Sequence, residues 1–497
     1  MTFEGYKQPY TDIGCLFEQP EKWIGKTTRV CGFIQSYRSS GGKGRNIGFI
    51  ELKDGTCMHH LQILCDQKSL PEDKKGMFDE LFAKAQTGVS LSVTGLIVKS
   101  PAKGQTIEMQ SHSYVIYGDV ADPGTYPISK NELSLEFLRT VPHLRTRTDT
   151  FSAIARLKSV LRLACAQYFD SIGFPEVQVP LITDNECESG ANPFVVSTMF
   201  GDGKISSIPI TPDKQSIDFT KDFFKKRAFL TVSGQLHLEA MVLGGLSKAW
   251  TMTTAFRAEP STGKMHLAEF WMAELEFCFG DLEDNMKINE GVIKFCIKKI
   301  LDTCRSELEF FQEKFDKNLI SKLNKYATIP FIRTTHEKCV KQMLIDEEIG
   351  KIKFESKPKL DDDLCREHEH YITDVMYHGT PVFVCEFPFS CKAFYMPKIN
   401  EGAEIERVQN FDLLFPGLGE VVGGSQRETD YDKLINMMQK KGINPDSLRF
   451  YSDLRKYGTV PHGGSGIGFD RLLMVITGVQ NIRDLVPFPR SFETCLF

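Results

Sequence analysis

The chain has 497 residues, 41% of them hydrophobic and 25% charged, with a formal net charge of −5. That length suits roughly two to four domains with a large core. The ordinary composition excludes a disordered or collagen-like chain, and the negative balance excludes a polycation, so any nucleic-acid contact must come from local basic surface. Fourteen scattered cysteines, with no Cys-x-x-Cys pair, argue against a zinc ribbon or redox dithiol and suit reduced thiols. Met1–Tyr10 has no apolar stretch and carries Glu4, and no run is long enough to span a bilayer. A soluble, cytoplasmic protein is expected.

Residues 26–118 read as all-β with one short helix. Thr28–Tyr37, Ile47–Leu52 and Leu61–Cys65 have strand composition, the last following the turn Lys53-Asp54-Gly55. Phe78–Ala85 has helical spacing, and Val89–Val98 and Thr106–Tyr117 are strands again. Five strands with a helix before the last two predict an oligonucleotide-binding (OB-fold) barrel. Seven basic residues (Lys22, Lys26, Arg29, Arg38, Lys43, Arg45, Lys53) surround Phe33, Tyr37 and Phe49 between residues 22 and 53. Aromatics beside cations can stack bases and neutralise phosphates; a barrel core with a solvated basic rim is an equal reading.

Residues 119–126 read as a linker around Pro123-Gly124. Asp149–Phe169 has helical spacing, and Gly173–Pro180 is a turn into a strand ending at proline. Apolar and polar residues alternate over 226–280, and 285–326 is a long amphipathic helical region. The charge-rich 341–363 reads as an exposed insertion. Strands are expected at Val382–Glu386, Ala393–Met396 and Arg407–Leu414. Near the end, Gly463, Gly464, Gly466 and Gly468 permit a tight turn close to a ligand, and Asp470-Arg471 then opens an apolar helical segment.

Two arginine motifs carry the chemistry. Phe256-Arg257-Ala258-Glu259 reads as one arm of a β-hairpin with a long loop, Arg257 and Glu259 sharing a face; the return arm contains His266 and Phe270. Arginine offers a forked donor for phosphate, and Phe270 a face for a base. Rival nucleotide sites are weak. Gly25-Lys26-Thr27 lacks the earlier glycine of a P-loop, His462-Gly463-Gly464 has no nucleophile elbow, and Cys365, His368 and His370 read as a solvated helix face rather than a metal site.

Gly173–Pro180, Phe256-Arg257 through Phe270, and Gly466–Arg471 resemble, in order, motifs 1, 2 and 3 of class II aminoacyl-tRNA synthetases. A basic barrel ahead of them resembles the aspartyl/asparaginyl/lysyl subgroup. Leu230–Glu239, Leu418–Glu428 and Gly478–Arg490 narrow the resemblance to the bacterial-type asparaginyl-tRNA synthetases. It implies an α+β protein: an N-terminal OB-fold anticodon-binding domain over 1–118, a hinge over 119–135, and a class II catalytic domain over 136–497. That domain would be an antiparallel sheet flanked by helices, with a helical insertion near 285–380.

The implied activity joins L-asparagine to tRNA(Asn) through an asparaginyl-adenylate, with ATP as substrate and Mg2+ as cofactor, in a homodimer. By resemblance Arg257, Arg471 and Glu420 are catalytic, with Arg257 on the α-phosphate. Phe270 and Arg471 sandwich adenine, Glu259 holds its amino group, His266 lies near the β/γ-phosphates, and Gly468 lines the ATP site. Asp412 and Glu420 hold magnesium. Glu188, Ser233 and Gln235 hold the α-ammonium end of asparagine, and Glu239 and Arg427 read its carboxamide. Leu238 stands where aspartate enzymes carry lysine. Arg38, Phe49 and Gln62 match anticodon-reading positions, with Phe49 as plain barrel core the lesser, rival reading. Lys264-Met265-His266 displaces the arginine that usually precedes the histidine. The remaining alternatives are an aspartyl-tRNA synthetase, a synthetase-like asparagine synthetase and an inactive RNA-binding paralogue.

Overall fold

The computed structural model describes residues 9–497 except 41–46, 70–74, 103, 129–132, 186–191 and 202. The chain divides into two compact units, Met1–Arg156 and Leu157–Phe497.

The first unit is built on a closed five-stranded barrel: β1 (Thr27–Ser40), β2 (Ile47–Lys53), β3 (Leu61–Asp66), β4 (Ser90–Lys99) and β5 (Ile107–Gly118), in the order β1-β2-β3-β5-β4. Alternation sets the faces. Val30, Ile34, Ile50, Leu52, Ile63, Val93 and Met109 point inward and are fully buried. The tight turn after β2 depends on Gly55, whose φ is +83°, and on Asp54, which accepts from Thr56 N at 2.9 Å. Two helices complete this core, α1 (Ile13–Glu18) through Ile13 and Leu16 and α2 (Lys75–Lys84) through Phe78 and Leu81.

A longer helix, α3 (Asp149–Ser171), contains the division between the units. The second unit holds a seven-stranded sheet. Its strands are β6 (Lys248–Phe256), β7 (Glu269–Cys278), β8 (Ile332–Thr335), β9 (Val382–Cys385), β10 (Asn410–Phe415), β11 (Gly419–Gln426) and β12 (His462–Gly468). They run in the order β8-β9-β10-β11-β12-β7-β6, antiparallel throughout except for β8 beside β9. Helix α4 (Gln235–Met241) lies before β6 in the chain, and helix α9 (Tyr431–Lys440) between β11 and β12.

Several sequence expectations change here. The glycines of 463–468 form no turn: they are the body of central strand β12, and none has a positive φ. Strand β6 ends at Phe256, so Arg257 and Glu259 lie beyond it and period two does not align them. The helical region 285–326 is three helices, α5 (Leu282–Thr303), α6 (Arg305–Lys314) and α7 (Leu319–Thr328). Residues 393–396 are not a strand: Phe394 and Tyr395 are buried side chains in an apolar cluster. Gly173–Pro180 contributes one isolated bridge, Glu176 to Trp250, after a left-handed Gly173. Part of the charged stretch is helix α8 (His336–Glu348), whose Cys339, Val340 and Met343 are fully buried. His368 is also buried, its Nε2 donating to Ser356 O (2.7 Å) and its Nδ1 accepting from Cys365 N (3.3 Å), so the Cys365–His370 segment is packed structure rather than a solvated face.

Helix α5 starts at a capping box between Asp281 and Asp284. It is tied to β12 by two buried amides: Asn285 Nδ2 donates to Gly464 O at 2.8 Å and Asn289 Nδ2 to Ser465 Oγ at 2.8 Å. β12 is glycine-rich because its neighbours need the space. A Cβ on Gly464 would lie 2.1 Å from Glu276 Oε1 and 2.3 Å from Leu275 O. Gly464→Ala is expected to destabilise the protein by about 1–3 kcal/mol, the cost of overpacking. Thermal unfolding beside Gly244→Ala, which meets nothing within 4 Å, checks this, since the control should melt with the parent.

Candidate active site

Two adjoining clefts open on the sheet of the second unit. The first is lined by Arg257, Glu259, His266, Phe270, Gly468 and Arg471, among others. The second is lined by Ser233, Gln235, Glu274, Lys392, Asp412 and Arg427. Arg257, Glu420, Met272 and Gly466 line both, so they form the wall between them.

In the first cleft the two arginines arrive from different elements. Arg257 follows β6, its N–H donating to Ala268 O at 3.0 Å, and its guanidinium lies 5.5 Å from the Phe270 ring centroid. Arg471 sits in the first turn of helix α11 (Phe469–Thr477). Its Nη1 donates to Glu420 O at 2.9 Å and to Glu420 Oε2 at 3.2 Å. Helix α11 has Gly468 at its N-cap and no capping side chain, which leaves its positive end toward the cleft. Asp470 is no cap. It is buried, accepting from Lys158 Nζ at 2.6 Å and from Trp271 N at 3.2 Å. His266 contacts Ser261 Oγ at 3.1 Å. Burial, and then the nearby Arg471, Arg483 and Arg257, hold its pKa below the usual imidazole range. Arg483 donates to the carbonyls of Thr262 and Gly263, so a guanidinium stands at the loop that lacks arginine before His266.

Acidic groups balance these cations. Lys392 pairs with Asp412 at 2.7 Å and lies 3.7 Å from Asp363. Burial, helped by Glu420 and opposed by Lys392, raises the Asp412 carboxyl to about 6. For Glu420, burial works upward but Arg471, Lys392 and Arg257 outweigh it and hold the group ionised. The two carboxylates converge above a residue without a side chain: a Cβ on Gly423 would lie 3.1 Å from Glu420 Oε1 and 3.9 Å from Asp412 Oδ1. Oxygen donors gathered in this way fit a hard divalent cation.

The floor of the second cleft comes from α4 and β7. Glu274 accepts from Ser233 Oγ and from Gly234 N (2.9 Å). Gln235 Nε2 donates to Glu239 Oε1 at 2.9 Å. Glu239 is fully buried and does not line the cleft itself. Leu238 faces away, packed with Val242 and Ala249. Glu188 lies outside the described residues.

Sequence reading missed Glu274, Lys392 and Asp363. Glu274 and Glu276 had a signal, two acids spaced by two on an otherwise apolar strand. Asp363 had none, because only the fold brings the charged stretch to the cleft.

On the barrel, Arg38 and Phe49 are directly opposed across β1 and β2. Phe49 opposes Leu64 and Glu51 opposes Gln62 across β2 and β3, so Arg38, Phe49 and Gln62 share the outer face. Phe49 is half-buried and outside the barrel's apolar core, while Ile50 beside it is fully buried. Arg38 is exposed; Gln62 is buried and donates to Glu108 at 3.0 Å. Of the basic set, Lys53 is buried against Asp149 (2.5 Å), and Lys43 and Arg45 lie outside the described residues.

Known proteins of this kind can now be compared. A family model described as class II tRNA synthetases (D, K and N) matches residues 134–492. The asparagine–tRNA ligase of Treponema denticola is 40% identical over 470 residues, covering 94% of this chain and 96% of the relative. That of Photobacterium profundum is 40% identical over 468 residues, covering 94% and 96%. Among solved structures, the asparaginyl-tRNA synthetase from Pyrococcus horikoshii complexed with asparaginyl-adenylate aligns with a TM-score of 0.79 at 29% identity, covering 97% of this chain and 98% of that one. The aspartyl-tRNA synthetase from Entamoeba histolytica shares the fold, with a TM-score of 0.73 at 19% identity. Two arginines converging on one cleft, the acids beside them and the matched length agree: this chain belongs to the class II tRNA synthetases of the D, K and N group, among the asparagine–tRNA ligases.

Proposed function

We propose that the protein activates L-asparagine with ATP, forming asparaginyl-adenylate and diphosphate, and transfers the acyl group to tRNA(Asn). The observation that carries this reading is the shared wall: Arg257 and Glu420 line both clefts. A nucleotide in the first cleft and an amino acid in the second would therefore meet at Arg257.

The attacking α-carboxylate is already ionised, so the first step needs positioning and charge neutralisation rather than a general base. Arg257 would neutralise the α-phosphate. Phe270 and Arg471 would hold adenine between a ring and a guanidinium, with Glu259 on its amino group, Gly468 beneath it and His266 near the outer phosphates. Asp412 and Glu420 would hold Mg2+, which supplies charge neutralisation on the triphosphate when bound. Arg257→Ala is expected to lower kcat for asparagine-dependent pyrophosphate exchange by about 10²-fold or more, the scale of losing one charge-stabilising donor.

Selection of asparagine follows from the second cleft. Glu239 can only accept while ionised, so Gln235 turns its Nε2 inward and leaves Oε1 toward the cleft, where it can accept from the α-ammonium alongside Ser233. Glu188 would join this end. Arg427 reaches the cleft with donors for the carboxamide oxygen, and Glu239 lies 3.7 Å behind its Nε. An aspartate carboxylate would meet this buried negative charge, so rejection works by repulsion as well as by lost hydrogen bonds. Glu239→Gln is expected to raise aspartate-dependent relative to asparagine-dependent exchange by about tenfold or more. An unchanged ratio in that assay would remove Glu239 from selection. Leu238 faces its own apolar cluster, so no side-chain cation from that position enters the cleft; this favours asparagine over an aspartyl reading.

Arg427 also bonds Glu276, which shares its guanidinium with Glu239. Burial, with Glu239 and Glu274 as like-charged neighbours, raises Glu276 to about 8 despite Arg427. The folded protein therefore keeps this proton up to about pH 8, whereas the unfolded chain releases it near the ordinary value of 4.5. Stability from this group is full below the unfolded value and is lost as pH rises through the folded one. Glutamine cannot ionise. The melting temperature of Glu276→Gln minus that of the parent is thus expected to grow more positive between about pH 5 and about pH 8.

The reading extends to a barrel domain over 1–118 that takes the anticodon through Arg38, Phe49 and Gln62, a hinge over 119–135, and a catalytic domain over 136–497. The shared outer face of the three residues supports it. It also includes a homodimer formed through the segment 173–180. Exposed Leu163, Leu181 and Ile182 suit such an interface. Among the described residues no helix is long and apolar enough to cross a membrane, which accords with a cytoplasmic site of action.

A further inference from the structure

Behind the amino-acid cleft lies a buried cluster that the proposed reaction does not use. Helix α10 (Arg449–Lys456) contributes Tyr451 and Arg455, and the first residue of β12 is His462. All three surround Glu239. Tyr451 Oη donates to Glu239, lying 2.8 Å from Oε2 and 3.0 Å from Oε1. Arg455 Nη2 donates to Glu239 Oε2 at 2.8 Å. His462 Nε2 lies 3.2 Å from the same oxygen. The exposures of Glu239, Tyr451, Arg455 and His462 are 0%, 0%, 5% and 1%. The charge is therefore set back from bulk solvent, and its partners Tyr451 and Arg455 are protein groups.

The cluster is itself held in place. Arg455 Nε donates to Glu428 O at 2.9 Å, and its Nη2 also donates to Tyr451 Oη at 2.9 Å. The guanidinium lies 4.1 Å from the Tyr451 ring centroid. His462 Nδ1 is 2.8 Å from Val460 O, and a carbonyl only accepts, so Nδ1 carries a proton. This fixes the ring with Nε2 turned to accept from Arg455 Nη2 at 3.3 Å, so His462 acts on Glu239 by holding that guanidinium in place.

We propose that Tyr451, Arg455 and His462 are positioning residues that fix Glu239 as a charged acceptor and thereby set the preference for asparagine over aspartate. The inference rests on the proposed reading of Glu239 and Arg427 as the amino-acid-selecting pair. The physical argument concerns the sign of a hydrogen bond. With Tyr451 and Arg455 donating to it, and His462 holding Arg455, Glu239 can only accept, which orients Gln235 and opposes a second carboxylate. With fewer partners a buried carboxylate takes up a proton or turns. A protonated Glu239 would offer an O–H, releasing Gln235 from its orientation and removing the repulsion that rejects aspartate. The neighbouring Arg427 cannot substitute, because its bonds go to Glu276 and Ser425 (2.6 Å to the latter) and its Nε is 3.7 Å from Glu239.

Tyr451→Phe, Arg455→Lys and Glu239→Gln, in the full-length protein, test this by pyrophosphate exchange with asparagine and with aspartate, alongside thermal unfolding. Tyr451→Phe removes one donor and keeps the ring. It is expected to raise KM for asparagine about tenfold and to lower the asparagine-to-aspartate ratio in kcat/KM, with KM for ATP within about twofold of the parent. Arg455→Lys keeps the charge but loses the fork, and should shift the same two quantities in the same direction. If both variants match the parent in asparagine KM and in selectivity while Glu239→Gln does not, the positioning role is overturned and the reading of Glu239 stands. If both instead lose melting temperature, kcat and affinity for ATP together, the cluster is structural and the proposal fails. If Glu239→Gln itself leaves selectivity unchanged, the underlying reading fails, and the inference with it.

Discussion

Strand β12 is glycine at four of its seven positions, and that spareness is what lets the rest of the sheet carry charge. Gly464 faces Glu276 and Gly466 faces Glu274 across the β7 ladder. On the other side Gly466 faces Gly423, above which Asp412 and Glu420 converge. A strand with ordinary side chains would fill both clefts. The backbone left bare must still satisfy its polar groups and be anchored. The sheet ladders and the two asparagines of α5 do this, so a helix on the far side of the strand keeps an otherwise weakly packed element in register.

Around that strand the charges are arranged by depth. Arg257 and Arg471 are only partly buried and line the outer cleft. Lys392 and Arg427 are deeper and already paired with acidic side chains. Deepest is Glu239, with no solvent and several partners. Moving inward, each ion depends more on its neighbours and less on water, as the rising desolvation cost requires. The outer groups can therefore change partners when a ligand arrives, whereas the inner ones are committed to one arrangement.

How much of this was legible in the chain depended on whether the signal was local. The barrel strands were plain, since alternation and Lys53-Asp54-Gly55 are short-range features, and Phe49 could be placed on one of two faces but not chosen between them until the register with Leu64 was known. The three synthetase-like segments located the clefts because each carries its own side-chain pattern. The glycines of β12 misled: a run of small residues fits a turn as well as a central strand, and only Met272, Glu274 and Glu276 on the neighbouring strand explain it. The stretch 341–363 looked solvated because its charges dominate a linear reading, while the buried spacing of Cys339, Val340 and Met343 began just before it. Glu239 was found by family position, yet its burial was not readable. Its partners Tyr451, Arg455 and His462 come from more than 200 positions away, which no local pattern reports.

The buried carboxylate of Asp470 ties together three elements at once: the helix that follows β12, the backbone of Trp271 in β7, and Lys158 in α3. Arg471 is the very next residue, so the root of its side chain is nailed to the scaffold while its tip rests on Glu420. Phe270, which lines the same cleft, is rooted one residue from the same nail, at Trp271. Both side chains thus hang from one post, so the points from which they reach into the cleft are inherited from the backbone rather than negotiated with each visitor.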